Sequence, residues 1–378
     1  MARDSLVLLE DGYAGVEALL GGAAALDALA VSTGALRRRR TLKSGSQLLR
    51  LALKYATSGG LRTTAAWAGT ALGLDLSNVA VFKRLRDADG FLEAVVRPLL
   101  ERCSDAEGAF SGWDGPPIRL VDGSIFAGPK GRGQVRLHGA WDPVAGRFAT
   151  MELTSTVEGE GFTRVDVEPG SIMVGDRVYA RTPELRAVAE EGAFFLVRAG
   201  VTSMKLARPD GLEPFKVKDI LEAMGQADSL DVDLLALDAR PRRRAPDPPL
   251  PIRLVALRAT PAQAEREQQR IQRSRTKQGV TPRDDTRSIT HLVLLATNLD
   301  RDSWPPERLG ALMRLRWQIE LAFKTLKTTC QMRQPPMNDP RLLRSWVLAN
   351  LAAVLLAQII ADDLGDFPPS ATTILAQS

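Results

Sequence analysis

The sequence is poor in the residues that zinc sites and disulfides require. Of 378 residues, two are cysteine and two are histidine. Cys103 and Cys330 lack the spacing of a metal site, and we interpret them as free thiols in a reducing cytoplasm. His138 and His291 are too few for a histidine-rich zinc site. Any catalytic metal is therefore expected to bind carboxylate oxygens, which favours magnesium or manganese.

Long uninterrupted apolar runs are also missing. The longest, Val347–Ile360, is interrupted by Asn350 and Gln358 and is too short to span a bilayer. The first residues, MARDSLVLLEDG, have acids on both sides of an apolar core and no small-residue cleavage site, which argues against a secretory signal. We therefore expect a cytoplasmic protein with no membrane anchor.

Positive charge is abundant and clustered. The formal net charge is +5, and basic residues concentrate in three stretches. Such clusters favour a polyanion as partner, although a solvated charged surface has the same composition. The three stretches are Arg37 to Arg40 with Lys43, Arg242 to Arg244, and Arg266 to Lys277.

The first 112 residues have the periodicity of helices. Apolar residues recur every three or four positions in Val16–Val31 and in Ser46–Tyr55. Gly112–Pro117 is rich in glycine and proline and marks a linker, after which the pattern changes. We therefore predict a helical domain over residues 1–112.

Within this domain, two short helices flank a turn. Thr63–Ala71 predicts the first helix, Gly73 the turn, and Ser77 the N-cap of a second helix that runs to about Arg86. This arrangement fits a helix-turn-helix that reads DNA, but an ordinary helical hairpin would have the same pattern. Basic side chains on the second helix are Lys83, Arg84 and Arg86.

Strand-like runs follow the linker. They precede a predicted helix at Thr182–Glu191 and a further strand at Ala193–Arg198. The residues Asp-Pro-Val-Ala-Gly at 142–146 predict a hairpin turn between the second and third runs. Together they predict an α/β fold with an antiparallel portion. The first four runs are Ile118–Val121, Gln134–Trp141, Phe148–Ser155 and Ser171–Val174.

The pattern is broken over residues 199–298. Short strand candidates alternate there with a Pro/Arg-rich loop at Arg240–Pro251, a polar run at Pro261–Lys277 that could form a helix, and a loop at Gly279–Arg287. Phe215 is the one aromatic residue of this region. We interpret the region as a β-rich insertion. Its strand candidates are Asp231–Leu237, Ile252–Ala259 and His291–Ala296.

Two aspartates end apolar, strand-like runs. Asp122 ends the run in IRLVDGS, and Asp176 ends the run in SIMVGDRVY. Each is expected at the carboxyl end of a strand, where carboxylates from neighbouring strands can share a metal ion. Two such ions can activate a nucleophile and stabilise the leaving oxygen in phosphodiester chemistry. Taken singly, each motif is more typical of an ordinary turn.

A third carboxylate lies in a predicted helix at Pro306–Thr328. At about 100° per residue, Arg316, Glu320 and Lys327 fall on one face, with Lys324 at its edge. Cations one and two turns away keep a carboxylate ionised, although a solvated ion pair would have the same spacing. A separate apolar stripe is predicted to be buried; it consists of Leu312, Leu315, Ile319, Ala322 and Leu326.

These residues resemble the DDE transposases of bacterial insertion sequences, of the insertion-sequence-four type. Arg316-x3-Glu320-x6-Lys327 matches the signature Y-x2-R-x3-E-x6-K, with Met313 at the tyrosine position. LVDGS and VGDRVY are similar to the two aspartate motifs of the family and follow the same order. Position 176 is 54 residues after position 122, and position 320 is 144 residues after position 176.

The resemblance implies a ribonuclease-H-like catalytic core at 113–198 and 299–335. The β-rich insertion at 199–298 interrupts this core. An N-terminal helical, DNA-binding domain covers 1–112. A C-terminal helical segment at 336–378 contains a helix predicted over residues 340–364.

The resemblance also implies the site and the reaction. Asp122, Asp176 and Glu320 would be catalytic and would hold Mg²⁺ or Mn²⁺, as two ions. The implied reaction is metal-dependent phosphodiester hydrolysis and strand transfer at insertion-sequence ends. The substrates would be terminal inverted repeats and target DNA, bound by a homodimer at the bacterial nucleoid. The DNA-binding side chains would be Arg316, Lys327, Lys324, Lys83, Arg84 and Arg86.

Two other functions fit the same residues. A catalytically inactive DNA-binding protein derived from a transposase is favoured by Met313, which cannot hydrogen-bond as the signature tyrosine does. A stand-alone metal-dependent nuclease would differ only in lacking strand transfer. His138 lies on a strand near Asp122, but a buried core histidine is more typical. Phe215 is the candidate for stacking a flipped base, as an aromatic residue of the insertion does in relatives.

Overall fold

The computed structural model describes most of the chain, in ten segments. Arg242 to Arg244, most of Arg266 to Lys277, the loop Gly279–Arg287 and Cys330 lie outside the described residues. The described residues are 13–58, 60–104, 113–200, 204–238, 247–262, 264–265, 268–269, 289–329, 332 and 335–364.

A run of helices precedes the first strand, and strands and helices are mixed after it. The helices are α1 (Tyr13–Leu19), α2 (Gly22–Ser32), α3 (Gly45–Ser58), α4 (Leu61–Leu72), α5 (Asn78–Arg86), α6 (Asp89–Ser104), α7 (Thr182–Glu190), α8 (Val217–Met224), α9 (Pro306–Leu315), α10 (Trp317–Thr329) and α11 (Pro340–Leu364). The strands are β1 (Ile118–Ala127), β2 (Gln134–Asp142), β3 (Arg147–Ser155), β4 (Ile172–Gly175), β5 (Phe194–Arg198), β6 (Lys205–Ala207), β7 (Ser229–Leu237), β8 (Leu250–Arg258) and β9 (Leu292–Thr297).

The chain divides into two compact units. The first contains residues 1–113, 123–159 and 320–378, and the second contains residues 114–122 and 160–319. The division falls inside β1 and after the third residue of α10, so both elements contribute residues to both units.

The first unit opens with the helices that the sequence predicts, with one error. The predicted helix Val16–Val31 is two helices, because Gly21 and Gly22 adopt φ of +83° and +87°. This is a left-handed backbone that side chains other than glycine rarely tolerate. The helix predicted at Ser46–Tyr55 is confirmed as α3. Its buried residues pack against α2 and α4.

The predicted pair of helices around Gly73 is confirmed. Gly73 follows α4 with φ of +63°, which ends that helix. Ser77 caps α5, because its Oγ accepts a hydrogen bond from the backbone N–H of Ala80 at 3.2 Å. Val81 and Leu85 are buried on one face of α5, which packs against α3 and α4.

Strands of the first unit form its sheet portion in the order β3-β2-β1. The predicted hairpin of β2 and β3 is confirmed as an antiparallel pair. Asp142 closes its turn by accepting hydrogen bonds at Oδ1 from the backbone N–H groups of Val144 and Ala145. The ring of Phe148 on β3 packs against Phe323 of α10, with centroids 5.2 Å apart. The hairpin therefore shares a core with this helix.

The C-terminal helix α11 is a core helix of the first unit. It packs against α3, α6 and β2. Its segment Pro340–Ile360 is long and apolar enough to cross a membrane, but 72% of its most apolar stretch is buried inside the protein. Helices α1 and α2 are long and apolar enough only when taken together, and they are bent by 65° relative to each other. Burial against neighbouring helices accounts for the apolar character of α11.

The second unit contains most of the sheet, in the order β1-β4-β5-β9-β8-β7-β6. The pairs β1–β4 and β4–β5 are parallel, and the remaining pairs are antiparallel. Helix α7 packs against β5, α9 against β5 and β8, and α8 against β7. The predicted α/β class is confirmed. Helix α8 was not predicted from the sequence.

Candidate active site

Asp176 directly follows β4, as predicted, whereas Asp122 lies inside β1 and does not end it. The prediction of a strand end at Asp122 is therefore wrong, because β1 continues past it to Ala127. Each paired residue of β1 faces the β4 residue 54 positions later, as Leu120 faces Val174. Asp122 and Asp176 are also 54 positions apart. Neighbouring strands lie about 4.8 Å apart. The strand register therefore sets the two aspartates at matching positions along adjacent strands, both within the second unit.

A tight turn fixes the backbone of Asp176. Its Oδ1 accepts a hydrogen bond from the backbone N–H of Val178 at 2.7 Å. Gly175, just before it, has no room for a side chain, because a Cβ there would lie 2.8 Å from Cβ of Tyr179. Tyr179 is fully buried and packs on Phe162 with ring centroids 4.9 Å apart. The glycine thus lets this aromatic pair pack against the strand end that carries Asp176.

Arg316 lies beside Asp122. Its Nη1 is 3.8 Å from Oδ2 of Asp122, and both side chains are about one-fifth exposed, at 22% and 21%. This partly buried cation also belongs to the second unit. It provides positive charge beside Asp122, in the middle of β1.

The predicted single helix at Pro306–Thr328 is two helices. Arg316 separates α9 from α10, and its N–H donates to the carbonyl of Met313, three residues earlier. Glu320 lies in the first turn of α10, one turn after Arg316, and is exposed. Of the predicted apolar stripe, the residues that are buried are Leu312, Ile319 and Leu326.

Lys327 contacts the end of β1 within the first unit. Its Nζ donates a hydrogen bond to the carbonyl of Ile125 at 3.0 Å and lies 4.9 Å from the ring centroid of Phe126. Ile125 is three residues after Asp122 on the same strand. Lys324, one turn earlier on α10, is exposed. The two cations of the signature are therefore a partly buried arginine and a lysine held on β1, and Lys324 is an exposed lysine between them.

The residue types of this region suit a hard divalent cation. Carboxylate oxygens are the ligands that Mg²⁺ and Mn²⁺ prefer, and the strand register supplies two of them. Among the described residues, no group of three or more acidic, histidine or cysteine side chains is already arranged to hold a metal ion. Asp122, Asp176 and Glu320 thus match the donor chemistry of such a site.

Comparison with known proteins identifies the family. The family described as "Transposase DDE domain" matches residues 113–356, which is more than half of the chain. The chain belongs to the DDE transposase family. It is a transposase, an enzyme of the endonuclease class that acts on DNA.

Individual transposases are also similar to this chain. The chain is 31% identical over 362 residues to the putative transposase InsL for insertion sequence element IS186A of Escherichia coli (strain K12), covering 95% of this chain and 96% of that protein. It is 31% identical over 363 residues, with the same coverage, to the transposase for insertion sequence element IS421 of Escherichia coli. The transposase for insertion sequence element IS231E of Bacillus thuringiensis subsp. finitimus is 20% identical over 264 residues, 63% of this chain and 55% of that protein.

A buried arginine in the transposase anchors the segment that leads to α9. Arg253 on β8 is 7% exposed and donates to Asp231 on β7, with Nη2 2.6 Å from Oδ2. Its other donors fix the chain between β9 and α9. Since α9 leads directly into Arg316, this arginine orders the approach to the signature residues. The backbone carbonyls it binds are those of Leu299, Asp300 and Trp304.

Arg301 extends this network to the surface. It donates to Asp231 and to Asp233, each at 3.0 Å. Burial raises the pKa of Asp231, but hydrogen bonds from Arg253 and Arg301 and their charges lower it by more, so the pKa of this carboxyl lies below its usual value. Sequence reasoning missed the network. The feature of the sequence that could have indicated it is the alternating Asp-Val-Asp of β7. The register of β7 and β8, in which Asp233 faces Arg253, is what brings these carboxylates to the arginine.

Two aromatic candidates from the sequence are placed in the interior. His138 is fully buried, and its Nε2 lies 2.8 Å from Oγ1 of Thr154, which confirms the core interpretation. Phe215 is 8% exposed, and the guanidinium of Arg208 lies 5.0 Å from its ring centroid. A ring that is buried and covered offers no open face to a flipped base.

The predicted DNA-binding cations of α5 differ in exposure. Lys83 is exposed, whereas Arg84 and Arg86 are half-buried. Arg86 lies 5.8 Å from the ring centroid of Phe82, and its Nε is 3.4 Å from Asp87. Lys83 is thus the cation on this helix that is best placed to meet a polyanion.

Proposed function

We propose that this transposase hydrolyses phosphodiester bonds at insertion-sequence ends and transfers the resulting 3′-hydroxyls to target DNA, with Asp122, Asp176 and Glu320 as its catalytic carboxylates. The observation that carries the assignment is the shared offset of 54 positions, which ties the two aspartates to one point of the β1–β4 register. Arg316 beside Asp122 links the glutamate to them, because Glu320 follows one helical turn after this arginine.

The three carboxylates would hold Mg²⁺ or Mn²⁺, as two ions. When bound, the metal activates the attacking hydroxyl or water and stabilises the leaving oxygen. Arg316, 3.8 Å from Asp122, would offset the charge of that carboxylate together with the metal.

The two signature cations and Lys324 hold the DNA strand. Arg316 binds a phosphate next to the cleaved bond, which a planar guanidinium can grip through two hydrogen bonds. Lys324 is exposed and binds the same strand further along the helix. Lys327, anchored on the carbonyl of Ile125, contributes charge at the end of β1. Together these groups position the substrate and offset the charge of its phosphates.

The wider architecture follows the insertion-sequence-four type. Residues 113–198 and 299–335 form a ribonuclease-H-like core, 199–298 an insertion, and 336–378 a C-terminal helical segment. Residues 1–112 bind the terminal repeats, with α5 in the major groove and Lys83, Arg84 and Arg86 as its cations. The enzyme acts as a homodimer on paired ends at the nucleoid.

A product assay tests the proposal. Purified protein is incubated with duplexes that carry the terminal repeats, with target DNA and with Mg²⁺. The proposal expects joined products, and it expects Asp122→Asn to abolish them while leaving DNA affinity unchanged or slightly raised. Cut products without joining indicate a nuclease. A bound but unaltered duplex indicates an inactive DNA-binding protein, the alternative that Met313 favours because it lacks the hydroxyl of the signature tyrosine.

A further inference from the structure

A loop of the first unit displays four consecutive arginines. Arg37 to Arg40, between α2 and α3, are all exposed. Leu36, just before them, and Leu42, two residues after them, are buried, at 3% and 0% exposed. Packing of the loop thus depends on the two leucines. Adjacent like charges repel one another, so stability gives no reason for four arginines in a row.

Both ends of this arginine loop are fixed to α2. At its start, Gly34 has φ of +73°, and the N–H of Leu36 donates to the carbonyl of Ala30 at 2.9 Å. At its end, the N–H of Gly45 donates to Oδ1 of Asp27 at 2.6 Å. A Cβ at Gly45 would lie 2.1 Å from the carbonyl oxygen of Leu26, so only glycine fits. A loop held at both ends loses little conformational freedom when it binds a ligand.

One of the four arginines also has an intramolecular role. Nη1 of Arg39 lies 3.3 Å from Oδ2 of Asp27, the same carboxylate that holds Gly45. This pair orients the loop, and the guanidiniums of Arg37, Arg38 and Arg40 are exposed beside it. Exposed guanidiniums match phosphate oxygens in shape and charge, and duplex DNA presents one negative charge per about 1.7 Å of its axis.

We propose that Arg37, Arg38 and Arg40 bind phosphates of duplex DNA and supply a part of the binding energy that does not depend on base sequence. The proposal rests on the proposed function only in taking DNA as the partner. It is independent of the metal site and of base reading by α5. Contacts to phosphate position a protein on DNA, whereas contacts to base edges select the sequence.

The test is the salt dependence of DNA binding by the full chain. The variant Arg37→Ala/Arg38→Ala/Arg40→Ala is compared with a control, Arg97→Ala/Lys205→Ala/Lys218→Ala, which removes three exposed cations elsewhere. Fluorescence anisotropy measures affinity for a terminal-repeat duplex and for a scrambled duplex between about 50 and 200 mM salt. Both variants lower the formal net charge of +5 by the same amount.

The proposal expects the loop variant to flatten the slope of log affinity against log salt by about 2 to 3, since each lost phosphate contact contributes about 0.9. The flattening is expected on both duplexes, and the control is expected to keep the wild-type slope. A charge-preserving variant, Arg37→Lys/Arg38→Lys/Arg40→Lys, is expected to keep most of the slope and confirms that the loop still folds.

Two results overturn the proposal. One is a loop variant whose slope equals that of the control, and the other is a loss confined to the terminal-repeat duplex. If the wild-type enzyme cuts and joins DNA while either result is found, only the role of the loop is wrong. If the wild-type protein binds neither duplex, the proposed function fails with it.

Discussion

The guanidinium of Arg316 lies 3.8 Å from the carboxylate of Asp122. The pair joins a residue of the glutamate signature to a residue of the first aspartate motif, although 194 positions separate them in the sequence. Both side chains are partly buried, with Asp122 in the middle of β1. The contact therefore explains one role of the signature arginine. It lies next to the helix that carries the glutamate and supplies positive charge to the strand that carries Asp122.

Replacing Arg316 is expected to impair catalysis far more than stability. Arg316→Ala removes a charge-assisted hydrogen bond to phosphate, and DNA cleavage is expected to slow by about 10- to 100-fold. The lost ion pair costs about 1 kcal/mol or less, so the melting temperature stays close to the wild-type value. The control is Arg314→Ala, an exposed arginine on α9, which is expected to leave the cleavage rate unchanged. Equal rates for the two variants would remove Arg316 from the site.

Gly175 is expected to tolerate no side chain. In Gly175→Ala the new methyl group would overlap with Tyr179, whose Cβ is only 2.8 Å away, and overpacking of this kind costs about 1 to 3 kcal/mol. Denaturant unfolding measures the change. Gly69→Ala is the matched control, because Gly69 lies inside α4 with its nearest neighbour 4.0 Å away. That variant is expected to gain about 0.5 to 1 kcal/mol. A neutral Gly175→Ala would show that the turn can shift.

The carboxylate of Asp231 is expected to stabilise the protein only above acidic pH. Its pKa is lower in the folded chain than its unfolded value of 3.8. The stabilisation is therefore fully present above that value and is lost as pH falls through the lower folded pKa. Near neutral pH, Asp231→Asn is expected to cost about 3 kcal/mol, because it leaves buried Arg253 without its counter-charge.

The matched control for Asp231 is Asp233→Asn, since Asp233 is 66% exposed and its pair with Arg301 is worth about 1 kcal/mol or less. Urea unfolding at a series of pH values should show the difference in unfolding free energy between wild type and Asp231→Asn narrowing as pH falls below about 4. A gap that does not change with pH would contradict the lowered pKa.

Lys83 on α5 is expected to contact phosphate. Lys83→Ala should weaken binding of all duplexes to a similar degree and flatten the log–log salt dependence by about 1. Lys218→Ala, which removes an exposed lysine from α8, serves as the control and should leave binding unchanged. If both variants bind alike, α5 does not lie on DNA.

Local chemistry predicted many of the elements. Ser77 caps α5, Asp142 closes the β2–β3 turn, and both were visible as turn or cap residues. The division of Val16–Val31 could have been read from Gly21–Gly22. By contrast, the break at Arg316 leaves its backbone near helical values, with φ of −55° and ψ of −26°. The apolar periodicity therefore continues through the break, and the sequence gives no signal for it.

For the site, the sequence correctly predicted that Asp176 follows a strand but wrongly ended β1 at Asp122. It also could not relate the strands to each other. The offset of 54 positions acquires meaning only when β1 pairs with β4 in that register. The Arg253–Asp231 pair is another long-range contact, set by the antiparallel alignment of β7 and β8. Phe215 shows the same limit, since no local pattern indicates that Arg208 covers its ring.

The central claim is that Asp122 and Asp176 hold a divalent cation together, and Mn²⁺ affinity tests it most directly. Electron paramagnetic resonance measures free Mn²⁺ during titration of the wild type, of Asp176→Asn and of Asp302→Asn, an exposed control. The account predicts that Asp176→Asn weakens Mn²⁺ binding by more than about tenfold, because even changes to residues that only support metal ligands weaken metal affinity by about tenfold or more. Asp302→Asn is predicted to bind Mn²⁺ as the wild type does. Equal Mn²⁺ affinity in all three proteins would contradict the account.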